Sequence, residues 1–168
     1  MSKNPIIVPL MRVALFQGLK PMQITEIARN AERIVFKTGD MITEAGAEGH
    51  AAYLIVSGPV VRIADAGGEL EAVEPGSLVG EMAMLIEHEY GSTVAARGAV
   101  RALRITRESL HAQMLDDPLL AQALMLRIAE RLTAVADELK RIDRAFAEGD
   151  FLPAIVAPSP VLDSGLAH

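Results

Sequence analysis

Between residues 33 and 105 the chain never runs far without a turn. Apolar and β-branched segments at 34–36, 41–43, 52–56, 60–64, 69–73, 78–79, 93–96 and 102–105 are separated by Thr38-Gly39-Asp40, Ala45-Gly46, Ser57-Gly58, Gly67-Gly68, Pro75-Gly76 and Arg97-Gly98. Eight short strands at this spacing predict a mainly β fold, a sandwich or jelly-roll barrel rather than a βαβ fold. At 168 residues, with 51% hydrophobic and 23% charged residues, the chain is long enough to bury one real core. That core is built from Leu, Ile, Val, Ala and Met, because there is no Cys or Trp and only 4 Phe and 2 Tyr. Without cysteine, neither a disulfide framework nor a cysteine metal site is available.

Inside the strand-rich region one stretch breaks the pattern. Val79-Gly80-Glu81-Met82-Ala83-Met84-Leu85 reads as a glycine bend followed by a short apolar helical turn. A polar loop, Glu87 to Gly91, comes next, and a new strand begins near Ser92 and Thr93. A helical turn opened by glycine leaves three or four backbone N–H groups unpaired, an arrangement that suits an anion. Glu81 stands where a carboxylate can accept from a sugar hydroxyl, although a carboxylate at a helix N-terminus is also favourable without any ligand.

Gly80-Glu81-x-Ala83-x-Leu85, in this position after Gly39-Asp40, Gly46, Tyr53-Leu54-Ile55, Ser57-Gly58 and Pro75-Gly76, resembles the phosphate-binding cassette of cyclic nucleotide-binding domains. The resemblance covers roughly residues 15–146. It implies an eight-stranded jelly-roll barrel with a short N-terminal helix and a long C-terminal dimerisation helix. It also implies a pocket formed by Gly80, Glu81, Met82, Ala83, Tyr90, Gly91, Ser92 and Thr93, with Thr133 of the long helix as a lid contact. In that family an arginine nine or ten residues after the glutamate holds the cyclic phosphate; here Tyr90 and Gly91 occupy those places. Glu87 and Glu89 add repulsion for a phosphate diester, and Arg97 or Arg127 would have to reach in from elsewhere to replace the missing charge.

Two helices are expected after the strands. Thr106 caps one over 107–114, and Asp117-Pro118 opens a longer one. Met125, Ile128, Leu132, Val135, Leu139, Ile142 and Phe146 recur along it at alternating steps of three and four, the spacing of a heptad seam. Such a seam packs on its own barrel or against a second copy; its length, and the family resemblance, favour a homodimer. An ion pair from Asp137 to Arg141 is expected on its flank. An earlier helix begins at Pro21. The predicted organisation is a domain over residues 1–147 (barrel about 33–105, helices about 107–147) and an irregular tail over 148–168.

A net charge of −6 argues against direct DNA binding, and the tail is too short for the DNA-binding domain many bacterial relatives carry. No apolar run reaches the length of a membrane span and no leader is evident, which predicts a cytoplasmic protein. His50, His88, His111 and His168 are scattered, Glu87-His88-Glu89 alternates faces, and no Walker loop or triad spacing occurs. Nothing reads as catalytic. Three readings follow: a regulatory module with a degenerate cassette that senses another ligand or a partner, a genuine cyclic AMP or cyclic GMP sensor with an atypical phosphate contact, or a ligand-free dimerisation domain whose pocket is filled by Met82, Met84 and Leu85.

Overall fold

The computed structural model describes residues 5–148. The chain divides into two compact units, Met1–Ile128 and Ala129–His168. The strands are β1 (Glu32–Phe36), β2 (Met41–Thr43), β3 (Glu48–Gly49), β4 (Ala51–Ser57), β5 (Val60–Ile63), β6 (Glu69–Val73), β7 (Leu78–Val79), β8 (His88–Glu89), β9 (Thr93–Ala96) and β10 (Val100–Thr106). One antiparallel sheet has the order β1-β10-β4-β7 and the other β2-β9-β5-β6. The eight expected strands are these two sheets, which face one another in the jelly-roll manner without joining into a closed barrel. The sequence pattern missed β3 and β8, a separate ribbon whose two-residue strands are too short to show alternation.

Alternation along the two central strands explains how the layers stack. Ile55 and Ala102 point between the sheets, with Phe36, Ile42, Val60, Val73, Val79, Val94, Ala96 and Val100. Their neighbours Leu54 and Leu103 point the other way, into a cluster with Phe16, Ile24, Ile27, Leu110, Leu120 and Leu124. That sheet is therefore buried on both faces along its central strands, β4 and β10. Its outer face is covered by helices α1 (Ile7–Arg12), α2 (Pro21–Asn30), α3 (Arg107–Asp116) and the start of α4 (Pro118–Ala147).

The helix starts are chemically specified. Pro21 opens α2 as expected, and the Gln23 side chain accepts from the Lys20 N–H at 2.9 Å. Thr106 caps α3 by accepting from the Ser109 N–H at 3.2 Å. Asp117 caps α4, accepting from the Leu119 and Leu120 N–H groups at 3.1 and 3.2 Å, and takes a bond from Gln23 Nε2 at 3.1 Å. The Gln23 amide and the Leu120 N–H hold its carboxyl below the usual range. The N-terminal segment is more structured than the sequence suggested: α1 and a 3-10 turn, Ala14–Phe16, precede α2.

From Ala129 onward α4 is exposed almost throughout. The expected Asp137–Arg141 pair does not form; Arg141 instead meets Glu138 at 3.1 Å, one residue closer. Among the described residues no helix is long and apolar enough to cross a membrane. The tail expected over 148–168 lies outside the described residues from 149 onward.

Candidate functional site

The cassette begins where β7 ends. Gly80 takes φ 71° and ψ 33°, the left-handed region, and turns the chain into a 3-10 turn, Glu81–Met84. Glu81 is half-buried at its start. The turn is tighter than the α-helical one expected, and the Ala83 N–H is already bonded to Gly80 O at 3.0 Å. The Ala83 amide is therefore not open to an anion, which leaves the lower end of the expected three or four.

The apolar cassette residues face the helices rather than the space between the sheets. Ala83, Met84 and Leu85 are buried, and Met84 and Leu85 join the cluster formed by the α1, α2 and α3 side chains, with Met82 packed at its edge. They are the cassette's fastening, and do not fill the interior of the roll. Two side chains of α3 hold the far end of the turn. Arg107 Nη1 donates to the carbonyls of Gly49, Ala83 and Ile86 at 3.0, 3.2 and 2.8 Å. One helical turn on, His111 Nε2 lies 2.7 Å from Leu85 O.

Tyr90, nine residues after Glu81, spends its contacts on its own chain. Its backbone extends the β3–β8 ribbon, bonding Ala47 O at 2.9 Å and receiving from the Gly46 N–H at 2.8 Å. Its ring lies over two glycines: a Cβ on Gly80 would come within 2.6 Å of Tyr90 Cε1, and one on Gly49 within 3.1 Å. The hydroxyl donates to Ala51 O at 2.7 Å. Burial, then the neighbouring Tyr53, raises the phenol above its ordinary value of 10.0, so it stays a neutral donor. Residue 90 is thus committed to the protein's own backbone.

Gly80→Ala is expected to lower stability by about 2–5 kcal/mol, combining a left-handed backbone cost of about 1–2 kcal/mol with overpacking of about 1–3 kcal/mol. Urea unfolding measures the loss, and Tyr90→Ala in the same chain is expected to return the packing share. A loss of only about 1–2 kcal/mol, unchanged when Tyr90→Ala is added, would mean that the ring moves aside freely and that the backbone cost alone remains.

Beyond Tyr90 lie three small residues, 91 to 93. Gly91 is exposed. Ser92 is half-buried; its carbonyl accepts from Thr43 Oγ1 at 2.9 Å, and Thr93 Oγ1 accepts from the Ala45 N–H at 3.0 Å. The cation at this edge is neither Arg97, which pairs with Glu69 at 2.6 Å, nor Arg127, whose Nε donates to Gln17 O at 2.8 Å. It is Arg62 of β5, whose Nη1 donates to Ser92 Oγ at 2.6 Å and whose Nε meets Glu71 at 2.8 Å. Sequence reasoning passed over Arg62 because it searched near the cassette, although its alternation with the apolar Val60 marks it as facing the same side. Thr133 is exposed on α4 and donates to Ala129 O at 3.0 Å. Along the predicted seam Met125, Leu132, Val135, Leu139, Ile142 and Phe146 are exposed, while Ile128 packs against the helix-side core of its own domain.

Known proteins share this fold. The family model for the cyclic nucleotide-binding domain matches residues 33–117. A CRP-like cAMP-activated global transcriptional regulator of Mycobacterium tuberculosis is 28% identical over 134 residues, 77% of this chain and 60% of that protein. The cyclic AMP receptor protein of Thermus thermophilus is 33% identical over 129 residues, covering 74% of this chain and again 60% of the relative. The chain thus spans about 60% of the length of these relatives. Among solved structures, the N-terminal domain of a transcriptional regulator from Streptomyces coelicolor superposes with a TM-score of 0.70 at 25% identity, covering 78% of this chain and 94% of that one. The matched residues are the ones that carry both sheets, the glycine-opened turn and the α3 clamp, and the chain belongs to the cyclic nucleotide-binding domain family.

Proposed function

We propose that this chain is a non-catalytic regulatory module that senses a small molecule of the cyclic-nucleotide type, and that it holds the ligand's anion without a cassette arginine. The observation that carries this reading is the use of the Tyr90 side chain: its hydroxyl bonds Ala51 O and its ring lies against Gly49 and Gly80, so an anion held near Glu81, Ser92 and Thr93 must be bound by other groups. The same reading makes α3 the element that feels the cassette, since Arg107 and His111 hold the carbonyls of Ala83, Leu85 and Ile86. The exposed heptad row of α4 is the proposed seam of a homodimer. The relatives named for cyclic AMP support the ligand class.

Thermal melting with millimolar cyclic AMP or cyclic GMP tests the ligand. A ligand at about a hundred times its dissociation constant adds about 2.7 kcal/mol to the native state, which is readily seen. A shift with at least one of them is expected. No shift with either would remove the sensor reading and leave a dimerisation domain.

A further inference from the structure

Val60 of β5 has its side chain between the two sheets, and Arg62, two residues on, projects from the same face of the strand. In register, Arg62 sits opposite Val94 of β9 and Glu71 of β6. Val94 is wholly buried in the inter-sheet core. The guanidinium is therefore at the inner edge of the roll, half-buried, with Nη1 on the Ser92 hydroxyl at 2.6 Å and Nε on Glu71 at 2.8 Å. Ser92 is itself held by Thr43, so the arginine is aimed by a fixed partner at the edge where the cassette ends. Its remaining N–H donors have no partner among the described residues.

We propose that Arg62 is the anion-binding residue of this pocket, supplied by β5 in place of the cassette arginine, and that it selects ligands carrying a single negative charge. This rests on the sensor reading above. An arginine with open N–H groups binds an oxyanion through charge-assisted bonds. Glu71 already balances one charge and stays beside the bound anion. A diester, with one negative charge, suits such a pair better than a phosphate monoester, which carries about −1.5 to −2. The glutamate lowers affinity for any anion, most of all for a dianion.

Calorimetric titration of the full chain with cyclic AMP and cyclic GMP, with the corresponding 5′-monophosphates and with the uncharged nucleosides, tests this on three proteins. For whichever cyclic nucleotide the unmodified chain binds, Arg62→Ala is expected to weaken binding at least about tenfold, the loss of one charged hydrogen bond. The nucleoside affinity should stay unchanged. Glu71→Gln is expected to tighten binding severalfold and to admit the monophosphate. A cross-strand ion pair with only a structural role would weaken both variants alike, or neither. Binding by the unmodified chain that survives Arg62→Ala overturns this inference and leaves the sensor reading standing. No binding of any cyclic nucleotide by the unmodified chain overturns both.

Discussion

Arg107→Met is expected to lower the stability of the domain by about 2–3 kcal/mol and to open the cassette before the sheets unfold. The short turn Glu81–Met84 ends with carbonyls that no residue of its own can satisfy. One guanidinium nitrogen serves three acceptors there, on Gly49, Ala83 and Ile86, while the Arg107 backbone N–H bonds His50 O at 2.9 Å. A hydrogen bond from a charged donor is worth about 1.5–3 kcal/mol net. Nη1 shares its two N–H groups among the three acceptors, and water reaches the exposed Ile86 carbonyl, so the three contacts count for little more than one such bond. Methionine keeps the length and apolar character of the stem, so most of the packing survives and the change reports the bonds. His111 on Leu85 O remains as a second tie, which limits the loss to the cassette end. Two measurements check the outcome. The denaturant midpoint should fall, and amide exchange at Leu85 and Ile86, whose N–H groups bond Met82 O at 3.0 Å, should accelerate more than exchange in β4 or β10. Equal exchange in both proteins would mean that α3 does not hold the cassette.

The elements that were legible in the sequence are those whose cause is local. Glycine and proline punctuation located eight strands, because a turn residue needs only its own backbone torsions; Gly39, Gly46, Gly58, Gly67 and Gly76 all take positive φ. Thr106 and Asp117 were readable as caps because a cap bonds within three residues. What was not readable depends on partners distant in the chain. Tyr90 lies flat only because Gly49 and Gly80, far apart in sequence, both lack a Cβ beneath it. Arg62 reaches Ser92 through the β5–β9 register, which spacing within the cassette does not contain. Ile128 reads as a seam residue by its heptad place, yet the turn of α4 that carries it packs on the helix-side core. The 3-10 geometry of the cassette turn, with the Ala83 N–H bonded to Gly80 O, is likewise not specified by the Gly80-Glu81 spacing.

Leu132→Asp combined with Leu139→Asp is expected to convert a dimer to a monomer in light scattering while leaving the folded domain intact. In a single chain Leu132, Leu139 and Phe146 are 62%, 58% and 64% exposed, and Val135 and Ile142 lie in the same row. Isolated exposed leucines are ordinary, but a row at heptad spacing along one helix face is the pattern by which helices pair in coiled coils. Between two copies related by a two-fold axis the seam meets itself, so each substitution removes two buried side chains. At about 2 kcal/mol per leucine the pair of changes removes about 8 kcal/mol of association free energy, before any repulsion between the facing carboxylates. That is roughly six decades in the dissociation constant, at about 1.4 kcal/mol per decade. Neither leucine belongs to the buried core of the domain, and aspartate costs an exposed helix under about 1 kcal/mol per site, so unfolding is not the route to the monomer. The cooperative melt of the domain should therefore persist in the variant. A dimer that survives both aspartates would place the self-contact on another surface and remove α4 as the proposed seam.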